Sequence, residues 1–159
     1  MFENMLVCLD GSELSEQILP YALKQAESFH SDVVLIYVVS EPFIMMPSVP
    51  GEPGYPMQTE SMTKQLSEDI IKAKKYLNHI ALPFRKLGLQ VTSITPEGPA
   101  GELIAKYANE NKIDLIAMAT HGRSGIRRAV LGSVADYVIK EISLPLLLIK
   151  PQPAEPKPK

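Results

Sequence analysis

The chain has 159 residues, enough for one domain with a sizeable core, and its 45% apolar and 21% charged content is that of an ordinary globular protein. A formal net charge of −2 supplies no basic field to draw it onto nucleic acid or an anionic membrane, and its apolar runs fall far below the roughly 20 residues that span a bilayer. Cys8 is the single cysteine, which excludes an internal disulfide and any CxxC site; the N-terminus lacks the pattern of a secretory signal, and elimination points to the cytoplasm.

Met5 to Leu9 is apolar without alternation, as expected for a strand buried on both faces. Asp10, Gly11 and Ser12 follow, with Ser12 placed to cap a helix on which Ile18, Ala22, Ala26 and Phe29 recur at helical spacing. Val33 to Val39 reads as a second buried strand. Residues 40–59 carry five prolines and three methionines. That stretch is too long and proline-rich for an ordinary connection and reads as a structureless loop, a mobile flap or a docking surface for a protein partner. Met62, Leu66, Ile70, Ala73, Leu77, Ile80 and Phe84 then form one apolar stripe of a long helix. Pro83 is expected to kink its last turns and Gly88 to close it.

Gln90 to Thr95 reads as a third strand, polar enough for a sheet edge. Gly98-Pro99 opens a helix carrying Leu103, Ile104, Tyr107 and Ala108. Ile113 to Ala119 is a fourth strand, and a loop joins it to a helix opening at Ser133, with Ala135, Val138, Ile139 and Ile142 on one face. Pro145 starts a last strand, Leu146 to Lys150. Residues 152–159 read as a disordered tail, leaving 1–151 as one domain. Strands and helices alternating in this way make a parallel sheet covered by helices, a doubly wound α/β fold.

The stretch from Met118 to Val134 carries the chemistry. Gly122 and Gly132 let backbone approach a ligand, Arg123, Arg127 and Arg128 add positive charge, and Ser133 is expected to cap the following helix. A helix start offers unpaired N–H groups and a positive dipole end, which suits a phosphate. The amides of Gly132, Ser133 and Val134 are the expected phosphate donors, with the Ser133 hydroxyl adding one more. Arg123 is best placed to reach a phosphate; Arg127 and Arg128 read as a solvated rim. Neither GxxxxGK(S/T) nor GxGxxG occurs. His121 has no evident partner nucleophile or carboxylate, so it is expected to offer at most a hydrogen bond to ligand or backbone. Cys8 reads as inert packing. His30 and His79 lie on separate helices without ligand spacing, so no metal site is expected.

This stretch resembles the nucleotide loop of the universal stress protein family, whose ATP-binding members carry Gly, two residues, Gly, nine residues, then Gly-Ser or Gly-Thr. Gly122, the nine residues Arg123 to Leu131, and Gly132-Ser133 match in type and spacing; the first glycine position is Ala119. Val7-Cys8-Leu9-Asp10-Gly11-Ser12 and Leu144-Pro145-Leu146-Leu147-Leu148-Ile149-Lys150 match as well, so the resemblance runs from Asn4 to Pro151. It implies a five-stranded parallel sheet of strand order 3-2-1-4-5 with helices on both faces. In that order the winding reverses between strands 1 and 4, so Asp10 and the glycine loop meet at one crevice beyond the strand ends. There Asp10 suits a ribose hydroxyl or a magnesium ion on the triphosphate; its plainer role is a turn and cap residue.

The resemblance also implies ATP as the ligand, with Leu9, Val38 and Met118 around its adenine. It further implies a homodimer, two copies pairing antiparallel about a two-fold axis through Leu146, Leu147, Leu148 and Ile149. Such an apolar strand at a sheet edge invites a partner, unless a helix or the tail covers it. The function expected is a dimeric nucleotide-binding module that responds to stress or energy state. An ATP pyrophosphatase or nucleotidyltransferase would need SGGxDS, or HIGH and KMSKS, and none is present. That leaves at most slow ATP hydrolysis. Ala119 is the residue that points instead to a nucleotide-free dimerisation and partner-binding protein.

Overall fold

Residues Met5 to Leu9 are all buried, and the strand they form lies at the centre of the sheet. The computed structural model describes residues 1–42, 44–46, 54–121 and 131–152. Along the chain run β1 (Asn4–Leu9), α1 (Glu13–Glu16), α2 (Leu19–Phe29), β2 (Asp32–Tyr37), β3 (Ile44–Met46) and β4 (Tyr55–Met57). They are followed by α3 (Glu60–Lys86), β5 (Val91–Ile94), α4 (Ala100–Glu110), β6 (Leu115–Ala119), α5 (Ser133–Glu141) and β7 (Leu146–Ile149). Five strands pair in parallel in the order β5-β2-β1-β6-β7, which is the 3-2-1-4-5 order expected, with β5 and β7 at the edges.

Each face of the sheet buries its own core. Met5, Val7 and Leu9 of β1 pack with Ala22 and Ala26 of α2 and Leu66, Ala73, Leu77 and Phe84 of α3. Leu6 and Cys8 point the other way and pack with Ile104 and Ala108 of α4 and Ala135 and Val138 of α5. The period of two along β1 thus feeds two helical layers, as a doubly wound sheet requires. No helix among the described residues is long and apolar enough to cross a membrane.

The long helix runs through Pro83 to Lys86, and Gly88 closes it at φ +77. The Gly88 amide bonds the Arg85 carbonyl and the Leu89 amide the Phe84 carbonyl, the paired bonds of a Schellman motif. The chain departs from expectation elsewhere. Ser12 caps only the single turn α1, and a second helix starts at Leu19. Pro20 explains the break: it has no N–H to continue the ladder, and it sits in the first turn of α2 where none is needed. Phe29 is 41% exposed and lies edge-on to Phe2 rather than in the core. Part of the 40–59 stretch is ordered as an antiparallel pair, β3 with β4, instead of lacking structure; Pro56 is tolerated because among the described residues β4 has one neighbouring strand. Gln152, assigned to the tail, is tied to Gln17 by two hydrogen bonds, at 2.7 and 2.9 Å.

Candidate functional site

The turn after β1 is built from its own side chains. One oxygen of the Asp10 carboxylate accepts from the Ser12 amide at 2.9 Å and from the Ser12 hydroxyl at 2.6 Å. The Ser12 oxygen accepts from the Ser15 amide at 3.1 Å, capping α1, while the Ser15 hydroxyl donates to the Ser12 carbonyl at 2.9 Å. The Asp10 amide reaches back to the Ser15 hydroxyl at 3.4 Å. This closed ring holds the Asp10 carboxylate in one orientation at the carboxyl end of β1. Gly11 turns the chain at φ +78, with Tyr37 packed so closely that a Cβ there would lie 3.1 Å from the ring. Behind the turn Tyr37 meets Tyr76 edge-on at 5.8 Å. Burial, and next the nearby Glu16 carboxylate, push the Tyr76 hydroxyl up from its ordinary pKa.

The second half of the site is the junction of β6 and α5. The Gly132 amide donates to the Thr120 carbonyl at 2.7 Å, and the Thr120 amide donates to Ile149 at 2.8 Å. Gly132 is the cap residue of α5, and Ser133 is the first helical residue, so the expected serine cap is in fact a glycine. A Cβ on Gly132 would stand 2.8 Å from the Thr120 oxygen, which leaves room for glycine alone. Among the described residues no side chain caps α5, and none caps α4 behind Pro99, whereas Ser12 and Thr59 cap α1 and α3. The cap residue of α5, a glycine, thus offers its N-terminal amides no side-chain acceptor of its own. His121 Nδ1 lies 3.0 Å from the Thr120 hydroxyl, a contact that orients the ring.

A cavity of about 250 Å3 opens between these two halves. Leu9 and Asp10 border it at the end of β1, Val38 after β2, Met118, Ala119 and His121 at the end of β6, and Gly132, Ser133 and Val134 at the start of α5. Every nucleotide-site residue expected from the sequence that lies among the described residues borders this cavity, whereas the expected dimer-strand residues Leu146 to Ile149 do not. Gly122 and Arg123 lie outside the described residues, as do Arg127 and Arg128. Val38 and Met118 pack on the α4 and α5 side, while Leu9 belongs to the opposite core.

Residues that sequence reasoning missed also border it: Ser15, Ala100, Ile104, Thr120 and Ala135. Ile104 and Ala135 carry only the apolar periodicity of a helix, which marks a core face and nothing more. Ser15 was detectable as the third residue after a capping serine. Cys8 borders the cavity as well; burial pushes its thiol up to about 12, so it stays protonated and unreactive at neutral pH. Ala119 is buried and paired with Ile149. The non-glycine residues of positive φ among those described are His30 and Lys112, so Ala119 stands where an L-residue is unstrained.

A sequence model of the universal stress protein family matches residues 1–150. The universal stress protein MJ0531 of Methanocaldococcus jannaschii is 30% identical over 151 residues, covering 94% of this chain and 83% of that protein. Among solved structures, the universal stress protein UspA from Lactobacillus plantarum is similar with a TM-score of 0.79 at 19% identity, covering 94% of this chain and 98% of the other. The universal stress protein from Archaeoglobus fulgidus in complex with dAMP is similar with a TM-score of 0.63 at 22% identity, covering 94% and 100%.

Proposed function

The chain belongs to the universal stress protein family, and we propose that it serves there as a cytoplasmic, dimeric module that binds ATP or a related adenine nucleotide without turning it over at enzymatic rates. The observation that carries the reading is the cavity itself, which the glycine-capped start of α5 and the oriented Asp10 line together. Backbone N–H groups at a helix start suit phosphate oxygens. The apolar side chains of Val38, Met118 and Ile104 suit a flat base between them. Asp10 suits a ribose hydroxyl or a magnesium ion on the phosphates. The similar Archaeoglobus fulgidus protein, solved with dAMP, supports an adenine nucleotide as the ligand class.

Arg123 and Gly122 complete the phosphate side in this reading, and His121 adds a hydrogen bond. Among the described residues the hydroxyl that meets a base in the cavity is that of Thr120, whose contact with its chain neighbour His121 orients the ring; Cys8 is a protonated thiol, and Ser15 donates to the Ser12 carbonyl. Hydrolysis is accordingly expected below the roughly 1 s⁻¹ of slow ordinary enzymes. Dimerisation is assigned to the outer edge of β7, whose partner among the described residues is β6 alone. The β3–β4 pair stands outside the five-stranded sheet, and a second surface for a protein partner is assigned to the 40–59 stretch that contains it.

Ala119 favours the competing reading, a nucleotide-free partner-binding protein. Its unstrained backbone reduces that argument to one methyl group beside the ligand. The test is mass spectrometry of the small molecules released when the purified protein is denatured, with and without prior incubation with ATP and magnesium. An adenine nucleotide retained in stoichiometric amount supports the proposal. Retention of none after incubation favours the nucleotide-free reading.

A further inference from the structure

Gly101, the second residue of α4, lies against Tyr137 of α5. A Cβ on Gly101 would stand 2.8 Å from Cγ of Tyr137 and 2.9 Å from its Cβ and Cδ1. Ordinary carbon contacts are about 3.5–4.0 Å, so the helices meet here without room for a methyl group. The overlap with Cβ matters most. A ring swings aside by rotating about χ1, but Cβ moves only with the helix that carries it. A side chain at position 101 therefore enters only if α4 and α5 move apart.

The same two helices wall the cavity. Ala100 and Ile104 border it from α4, and Ser133, Val134 and Ala135 border it from α5. Gly101 is flanked in sequence by one of those residues, and Tyr137 stands two residues beyond another. Tyr137 is 37% exposed, so its ring covers the outer seam of the helix pair whose inner seam is the cavity wall. Interiors are close-packed, so a shift at one seam carries to the other.

We infer that the Gly101–Tyr137 contact is the positioning element that sets the width of the cavity between α4 and α5, and so restricts the base it takes to adenine without a further fused ring. This deepens the nucleotide reading given above and rests on it. The glycine acts through the spacing of its neighbours and has no contact with the ligand of its own.

The experiment compares binding of ATP and of 1,N6-etheno-ATP, whose base carries an extra fused ring, to the full chain and to Gly101→Ala. The unmodified chain is expected to prefer ATP. In Gly101→Ala that preference falls by about tenfold, the low end for a methylene-sized change in an apolar pocket. A merely loosened fold weakens both ligands alike and leaves the ratio unmoved. An unchanged ratio in a folded, ATP-binding Gly101→Ala chain overturns this inference alone. Failure of the unmodified chain to bind either ligand overturns the nucleotide reading and this inference with it. If Gly101→Ala does not melt cooperatively, the ratio is read on Gly101→Ala/Tyr137→Ala, which removes the overlaps at Cγ and Cδ1 and keeps that at Cβ. A preference below that of the unmodified chain supports the inference there, and an unchanged one overturns it.

Discussion

Gly132 and Thr120 are locked together twice: the Gly132 amide bonds the Thr120 carbonyl at 2.7 Å, and the missing Cβ of Gly132 would collide with that same oxygen at 2.8 Å. Gly132→Ala should therefore push the start of α5 away from the end of β6. Overpacking of this kind costs about 1–3 kcal/mol, to be read from urea denaturation. ATP binding should be lost in the same variant under conditions where it remains folded. Wild-type stability and affinity in Gly132→Ala would show that the junction is not tight.

Ser12 both caps α1 and donates to Asp10. Ser12→Ala removes both bonds at once, and loss of a serine cap costs about 1 kcal/mol. Ser12→Thr keeps an oxygen at the same place and should recover most of that loss. A chemical melt of the three proteins decides it; equal midpoints for Ser12→Ala and the unmodified chain contradict the ring of bonds described here.

Burial raises the Cys8 thiol from its ordinary 9.0 to about 12. The unfolded chain loses that proton first as pH rises, so the folded state keeps its full advantage below pH 9 and loses it progressively towards pH 12. The loss is at most about 1.4 kcal/mol per pH unit. Cys8→Ala has no thiol to titrate, and its stability should fall less steeply over that window. Parallel curves for the two proteins would show that Cys8 is not shielded from solvent.

The edge of β7 can be tested at the right residue. The amides of Ile116 and Thr120 bond the carbonyls of Pro145 and Ile149. Parallel ladders alternate, so odd-numbered residues of β7 face β6 and the N–H of Leu148 faces the open edge. Leu148→Pro should convert a dimer to a monomer in light scattering while leaving the β6 ladder whole. Leu147→Pro instead cuts that ladder and should lower stability. A monomeric unmodified chain at micromolar concentration would contradict the assembly.

The sheet was legible because β1, β2 and β6 are short, apolar and without alternation, and because the long helix carries one stripe from Leu66 to Phe84. The β3–β4 pair was not, since Pro56 inside a three-residue strand reads as a break. The two-part helix after β1 could have been read from Pro20, which cannot lie inside one continuous helix running from Ser12 through Ile18 to Phe29. Ser133 reads as the cap of α5 because serine commonly caps helices; the close approach of Thr120, which makes glycine necessary, is a contact between residues distant along the chain. Of the site, the polar half stood out through Asp10, Gly132 and Ser133. Ile104 and Ala100 were hidden because an apolar cavity wall and a core face have the same periodicity.

Isothermal titration of the full chain with ATP and magnesium tests the central claim most directly. The account predicts saturable heat at one nucleotide per chain, abolished in Gly132→Ala and retained in Ala119→Gly. No heat at millimolar ATP from a chain free of bound nucleotide would contradict it.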